Sequence, residues 1–184
     1  MEVLETGIKG LVQIIPNIHI DHRGWFQEIY KASVFHKIGE GTLFIQDNIS
    51  FSKRGILRGL HLQTSPAGQA KLVTVLSGKV LDVVVDLRRG SETFGKTFQL
   101  ELDGGSKNML YVPEGFAHGF SAIEDSIFLY KCSREYNPAN ETGIIWNDED
   151  LSIDWKNHNP ILSDKDGALP TLNDLLRKSV ISSL

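Results

Sequence analysis

The sequence predicts a mostly β protein, a jelly roll or similar double-sheet barrel carrying a few short peripheral helices. Two observations predict it. Short apolar or alternating runs recur from about residue 8 to 146, each bounded by turn residues, and helix signals there are few. At 184 residues the chain can enclose one proper core. No repeat, low-complexity stretch or linker divides it, so residues 1–184 are expected to form one domain. The core spans about 8–146, and the irregular 147–184 segment wraps it.

The strands are expected, in order, at 11–15, 42–50, 71–76, 79–87, 96–102, 108–113, 118–123 and 127–132. Turn pairs separate several of them, including Ser77-Gly78, Arg89-Gly90 and Gly104-Gly105. The clearest is 79–87, where Leu81, Val83, Val85 and Leu87 share one face and Val80, Asp82, Val84 and Asp86 the other. Two readings fit that strand equally: a ligand-holding barrel with polar residues inside, or an apolar core with both aspartates in water. Helix signals are confined to 31–38, ending before Gly39, and to 172–178, capped by Thr171 after Pro170.

Composition narrows the function. The chain is 41% hydrophobic and 23% charged, which argues against disorder and against a fibre. Its net charge is −4, and no basic run is present, so neither nucleic acid nor an anionic membrane is an expected partner. A few arginines can still hold one pyrophosphate. Cys132 is the one cysteine, so no internal disulfide can form. The N-terminus lacks a signal-peptide core and no apolar run reaches membrane-spanning length, so the cytoplasm is the expected location. The acidic stretch 147–150 reads as a solvated turn, and Trp25 and Trp155 as packing residues.

Two segments carry chemistry. Gly55-Ile-Leu-Arg58-Gly-Leu-His61-Leu-Gln63 and Pro113-Glu-Gly115-Phe-Ala-His118 resemble the paired histidine motifs of the cupin superfamily, G-x5-H-x-H and P-x-G-x-x-H. The resemblance implies a double-stranded β-helix. In metal-binding cupins these histidines and a nearby Glu hold an ion. Here Gln63 replaces the second histidine and 67–69 supplies no Glu, so two imidazoles remain and no metal is expected.

A wider set of segments runs from about Asp21 to Leu172. It comprises Asp21-His-Arg23-Gly-Trp-Phe26-Gln-Glu28, Phe44-Ile-Gln46-Asp47-Asn48, Arg58-Gly-Leu-His61, Gln69-Ala-Lys71, Pro113-Glu-Gly-Phe-Ala-His118, Leu129-Tyr130-Lys131, Trp146-Asn-Asp148 and Ser163-Asp-Lys165-Asp166. Together and in this order they resemble the dTDP-4-dehydrorhamnose 3,5-epimerase family.

That resemblance implies epimerisation at the two carbons flanking a 4-keto group of a dTDP-4-keto-6-deoxyglucose-type nucleotide sugar. A proton beside a ketone is weakly acidic because the carbanion spreads onto oxygen as an enolate. The enzyme needs a base on one face, an acid on the other and a group to hold the oxygen. Neither hydride nor electrons need move, so no cofactor is implied, and no G-x-G-x-x-G fingerprint is present. The resemblance assigns His61 as base, Asp166 as its carboxylate partner, Lys71 as the enolate-stabilising cation and Tyr130 as the opposing acid. Tyr136, a nearby competitor for the acid role, matches a tyrosine that stacks on the nucleotide base, and His118 lines the pocket near the keto group or bonds to His61. Arg23, Phe26, Glu28, Gln46, Asp47, Asn48, Arg58 and Lys165 match substrate-holding positions, as does Glu141, whose role is open. A homodimer with shared strands and shared sites is also implied. Three other readings stay open at this point. A mono-epimerase or keto isomerase would differ in small pocket changes. A sugar-binding cupin would need no His61–Asp166 pair, and a metal enzyme would need the histidine that Gln63 replaces.

Overall fold

The computed structural model describes residues 1–39 and 41–177. Its elements run β1 (Glu2–Glu5), β2 (Val12–Ile15), β3 (Ile18–Asp21), β4 (Gly24–Gln27), α1 (Ala32–Ile38), β5 (Gln46–Ser52), β6 (Leu57–Gln63) and β7 (Lys71–Ser77). They continue with β8 (Lys79–Asp86), β9 (Thr97–Asp103), β10 (Met109–Val112), β11 (Phe116–Ala122), β12 (Ser126–Cys132), β13 (Glu141–Gly143), α2 (Asp164–Gly167) and α3 (Leu172–Arg177). Two antiparallel sheets face each other, ordered β1-β2-β10-β7-β12-β5 and β13-β6-β11-β8-β9. Neighbours that are distant in sequence give the cupin-like jelly roll. A separate hairpin pairs β3 with β4.

Strand β8 shows how one sequence pattern builds this arrangement. It is central and covered on both sides, so both of its faces are buried. Val80 and Val84 point between the sheets, where they meet Val73, Leu110, Phe116, Phe120 and Phe128. Leu81, Val83 and Val85 point outward and pack under Ile144, Leu151, Trp155, Leu172 and Leu175 of the C-terminal segment. Burying each such side chain contributes about 1.5 to 3 kcal/mol, which is why an irregular segment stays docked. Asp82 and Asp86, on the inward-facing register, are fully buried and not in water. The outer face of the other sheet is covered in the same way, with Ile14, Leu72 and Met109 under Phe35 of α1 and Phe44.

The eight expected strands are all present, with ends shifted by a few residues. Four stretches were not read as strands: β1, the β3–β4 pair, β6 and β13. β1 and β13 are short and partly polar, β4 and β6 contain glycine, and β3 alternates over only four mostly exposed residues, so none gives a clear signal. Helix α1 falls where expected, with Lys31 as its N-cap residue. Helix α3 is capped as expected: Thr171 Oγ1 accepts from Asp174 N at 3.1 Å and donates to its carboxylate at 2.9 Å. Lys178, the last residue of the expected helix, lies outside the described residues. The acidic stretch differs from expectation, because Asp148 is buried and accepts backbone N–H groups from Asp150, Leu151 and Leu172. Trp155 packs and donates to Trp146 O at 2.6 Å, whereas Trp25 is 60% exposed under the Lys107 ammonium.

Candidate active site

Strand β6 brings Arg58 and His61 to one cavity, although residues three apart in a regular strand point to opposite faces. Arg58 opposes Phe120 and His61 opposes His118, so three steps on β6 match two on β11: a β-bulge at Gly59. Gly59 has φ +120°, and a Cβ there would meet Gly119 Cα at 2.5 Å. Only a glycine pair lets the strands pass this closely. Arg58, beyond the bulge, donates through Nε to Ser52 Oγ at 3.0 Å, at the edge of the cavity.

The cavity, about 330 Å³, is lined by side chains from both sheets and from α2. His61 Nε2–H donates to Asp166 Oδ1 at 2.6 Å, leaving Nδ1 as the ring acceptor. Asp166 is fixed because Ser163 Oγ caps α2 and accepts its backbone N–H at 3.1 Å. Burial pushes the Asp166 carboxyl up. The His61 hydrogen bond and charge, aided by Ser163 and the Gly59 backbone, outweigh it and hold the group below its ordinary value. It is therefore a carboxylate at neutral pH.

Facing His61 across the cavity, the six-stranded sheet presents Tyr130 from β12 and Lys71 from β7. Burial raises the Tyr130 phenol above its usual value, and the nearby Cys132 and Glu141 act the same way against Arg58. The phenol therefore keeps its proton. Burial pulls the Lys71 ammonium down, opposed by Cys132, Asp82 and Glu141. His118 bonds through Nε2 to the buried Asp82 at 2.8 Å, so its partner is Asp82 and not His61. A second lobe of about 340 Å³ shares His61, Lys71, Tyr130 and Glu141, and adds Gln46, Asn48, Gln63, Gln69, Cys132 and Tyr136.

The remaining expected residues divide by location. Gln46 and Asn48 face the second lobe and bond to each other at 3.0 Å. Asp47 lies between them, so strand alternation turns it to the outer face, where it accepts from Lys131 Nζ at 2.6 Å. It therefore points away from the cavity of its own chain. Tyr136 OH donates to Glu141 Oε2, which also accepts from Lys165 Nζ. Arg23, Phe26 and Glu28 lie outside the cavity of their own chain. Arg23 is paired with Asp21 and Glu28 with Lys31, and Phe26 is 67% exposed.

Sequence reasoning missed Asp82, Ser50, Phe128 and Ser163. The Ser-x-x-Asp pattern of a helix N-cap at 163–166 was the available signal for the last. A cupin metal does not fit the donor set. His61 Nε2 and His118 Nε2 each bond a carboxylate, and Gln63 Oε1 accepts from Asn137 N at 3.1 Å. Among the described residues no three His, Cys, Asp or Glu side chains gather as a metal-binding set. Nor is any helix among them long and apolar enough to cross a membrane.

Comparison with known proteins gives the same picture. The chain is 44% identical over 168 residues to dTDP-4-dehydrorhamnose 3,5-epimerase of Shigella flexneri, covering 90% of this chain and 93% of that protein. The crystal structure of dTDP-4-dehydrorhamnose 3,5-epimerase from Elizabethkingia anophelis NUHP1 superposes with a TM-score of 0.89 at 46% identity, covering 95% of this chain and 97% of that one. The Legionella pneumophila dTDP-6-deoxy-D-glucose-3,5-epimerase, solved in complex with dTDP-4-keto-L-rhamnose, gives 0.89 at 42% identity, covering 94% and 93%. A family profile described as dTDP-4-dehydrorhamnose 3,5-epimerase matches residues 5–174. With its sheets, cavity and sequence in agreement, the chain belongs to the dTDP-4-dehydrorhamnose 3,5-epimerase family.

Proposed function

We propose that this protein is an isomerase that inverts carbons 3 and 5 of a dTDP-4-keto-6-deoxyhexose, giving dTDP-4-dehydro-L-rhamnose. The observation that carries the reading is the placement of His61 and Tyr130 on opposing sheets of one cavity. Inversion requires a proton to leave one face of a carbon and another to arrive at the opposite face.

His61 Nδ1 takes the proton beside the ketone, and the C–H electron pair moves onto the carbonyl oxygen. Asp166 supports the imidazolium that forms, having lost no hydrogen bond in the process. Lys71, with His118 beside it, meets the negative charge on the enolate oxygen; in a site shielded from water this is worth several kcal/mol. Tyr130 then protonates the carbon from the other side. The reaction moves protons alone, and no step needs a metal or a redox cofactor.

Arg58 suits the pyrophosphate, and Gln46, Asn48 and Tyr136 suit the base and its sugar, with Glu141 and Lys165 closing that side. Arg23, Phe26 and Glu28 act in a partner's cavity, so the working unit is a homodimer. Two features support this. The β3–β4 hairpin stands apart from both sheets, and Ile45, Ile49 and Phe51 expose an apolar outer face at edge strand β5. A cytoplasmic location belongs to the same reading, since a charged nucleotide sugar does not cross a bilayer unaided.

The test is incubation with dTDP-4-keto-6-deoxyglucose in deuterium oxide. Deuterium at both carbon 3 and carbon 5 is expected. One label would make the chain a mono-epimerase, and none would make it a sugar-binding protein. Tyr130→Phe is expected to slow the second protonation more than the first abstraction, and equal loss of both exchanges would remove Tyr130 from that role.

A further inference from the structure

Glu141 carries two bonds that join parts of the site with different duties. Its Oε2 accepts from the Tyr136 hydroxyl and from the Lys165 ammonium. Tyr136 is half exposed at the second lobe, and its backbone N–H is pinned to Gln46 Oε1 at 2.8 Å. Lys165 sits on α2, immediately before the Asp166 that holds His61. Register also places Glu141 in line with the base, since β13 sets Glu141 opposite Gln63 and Gly143 opposite His61.

Burial pushes Glu141 up, but the Lys165 and Tyr136 hydrogen bonds and the Lys165 charge together hold it below its ordinary value. It is therefore an anion tying a phenol to an ammonium. A four-residue helix has few bonds of its own, so the contact at Lys165 adds to the Ser163 cap and the Asp166–His61 bond in fixing its orientation.

We propose that Glu141 is a positioning residue: it links Tyr136, the ring that meets the nucleotide, to the helix that aims Asp166 at His61. Filling the nucleotide lobe then sets the base for proton abstraction. The inference rests on the reading of Tyr136 as the base-stacking residue.

The link can be tested with and without turnover. Tyr136→Phe keeps the ring and removes the hydroxyl, and Glu141→Gln removes the charge. Each is expected to lower kcat for deuterium incorporation about tenfold, while KM and dTDP affinity stay within about twofold. The double variant should be no slower than the slower single one. In amide hydrogen exchange, dTDP should slow residues 163–167 of the unaltered chain, on the order of tenfold, and should fail to do so in either variant although it still binds.

Full activity of Tyr136→Phe, multiplying losses in the double variant, or equal protection in all three chains would overturn the link. So would an absence of protection in the unaltered chain. Failure of the epimerase reading looks different: the unaltered chain would place no deuterium on the sugar, whatever the exchange result.

Discussion

His61 and Asp166 are 105 residues apart in sequence, and their Nε2 and Oδ1 atoms lie 2.6 Å apart. The imidazole comes from β6 and the carboxylate from α2, so the pair exists only while the C-terminal segment is docked on the five-stranded sheet.

His61→Ala should therefore reduce deuterium incorporation at both carbons by about 10² to 10⁴, the usual worth of a general base. Affinity for dTDP, measured by calorimetry, should change no more than a few fold. Asp166→Asn keeps the shape of the site but loses the charge that supports the imidazolium, and should lower kcat by at least about tenfold. An unchanged rate in Asp166→Asn would remove the carboxylate from the mechanism.

Lys71 is expected to set the alkaline side of the pH profile. Burial pulls its pKa below the ordinary lysine value of about 10.4, and the enolate needs the protonated form. As pH rises through the lowered value the ammonium is lost, so kcat/KM should fall while Tyr130, which burial raises, is still protonated. Lys71→Met should remove this limb and cost about 10² to 10³ in kcat. A limb at or above the free-lysine value would contradict the assignment.

Asp86 should make stability depend on acid. Its buried carboxyl is pushed up by burial, yet bonds from Arg88, Ser91 and Thr93 bring it to about 2 against an ordinary 3.8. A depressed folded pKa stabilises the native state above the unfolded value of about 4, and that stability is lost as pH falls toward 2. The contribution at neutral pH is about 2 kcal/mol. In urea titrations Asp86→Asn should be less stable at pH 7 by about this amount, with a flatter dependence between about pH 4 and pH 2. An unaltered slope would show that the network is balanced by other groups.

The outer face of β5 should govern assembly. Phe51→Glu places a charge among Ile45, Ile49 and Phe51 and should weaken dimerisation by at least about tenfold in sedimentation, given about 1.5 kcal/mol or more for burying a phenylalanine. Under the proposed shared site, activity should fall in parallel on dilution as Arg23, Phe26 and Glu28 leave the neighbouring cavity. A fully active monomer would place those three residues outside the site.

The fold was legible wherever burial is one-sided or complete. The 79–87 run announced β8, and Gly39 and Thr171 marked helix ends through backbone chemistry that any sequence displays. The strand that carries His61 was not legible as a strand. Its glycine and its bulge break the alternation that a pattern search relies on. The partner of His118 was hidden for a related reason. The 79–87 pattern fits Asp82 equally well inside a barrel or in water, and only the cover of the opposite sheet, which a linear sequence does not display, decides between them. Asp47 shows the converse, for it lies inside a matching motif yet points away from its own chain's cavity, because neighbouring residues of a regular strand take opposite sides.

The irregular step at Gly59 divides β6 into two halves of opposite parity. Downstream of it, odd-numbered His61 and Gln63 face the cavity; upstream, even-numbered Arg58 does. Removing one residue here would leave a smoother ribbon and a disordered cavity, with the guanidinium driven through the floor of the sheet into the oily layer beneath and Leu57 turned into the space that Arg58 now lines.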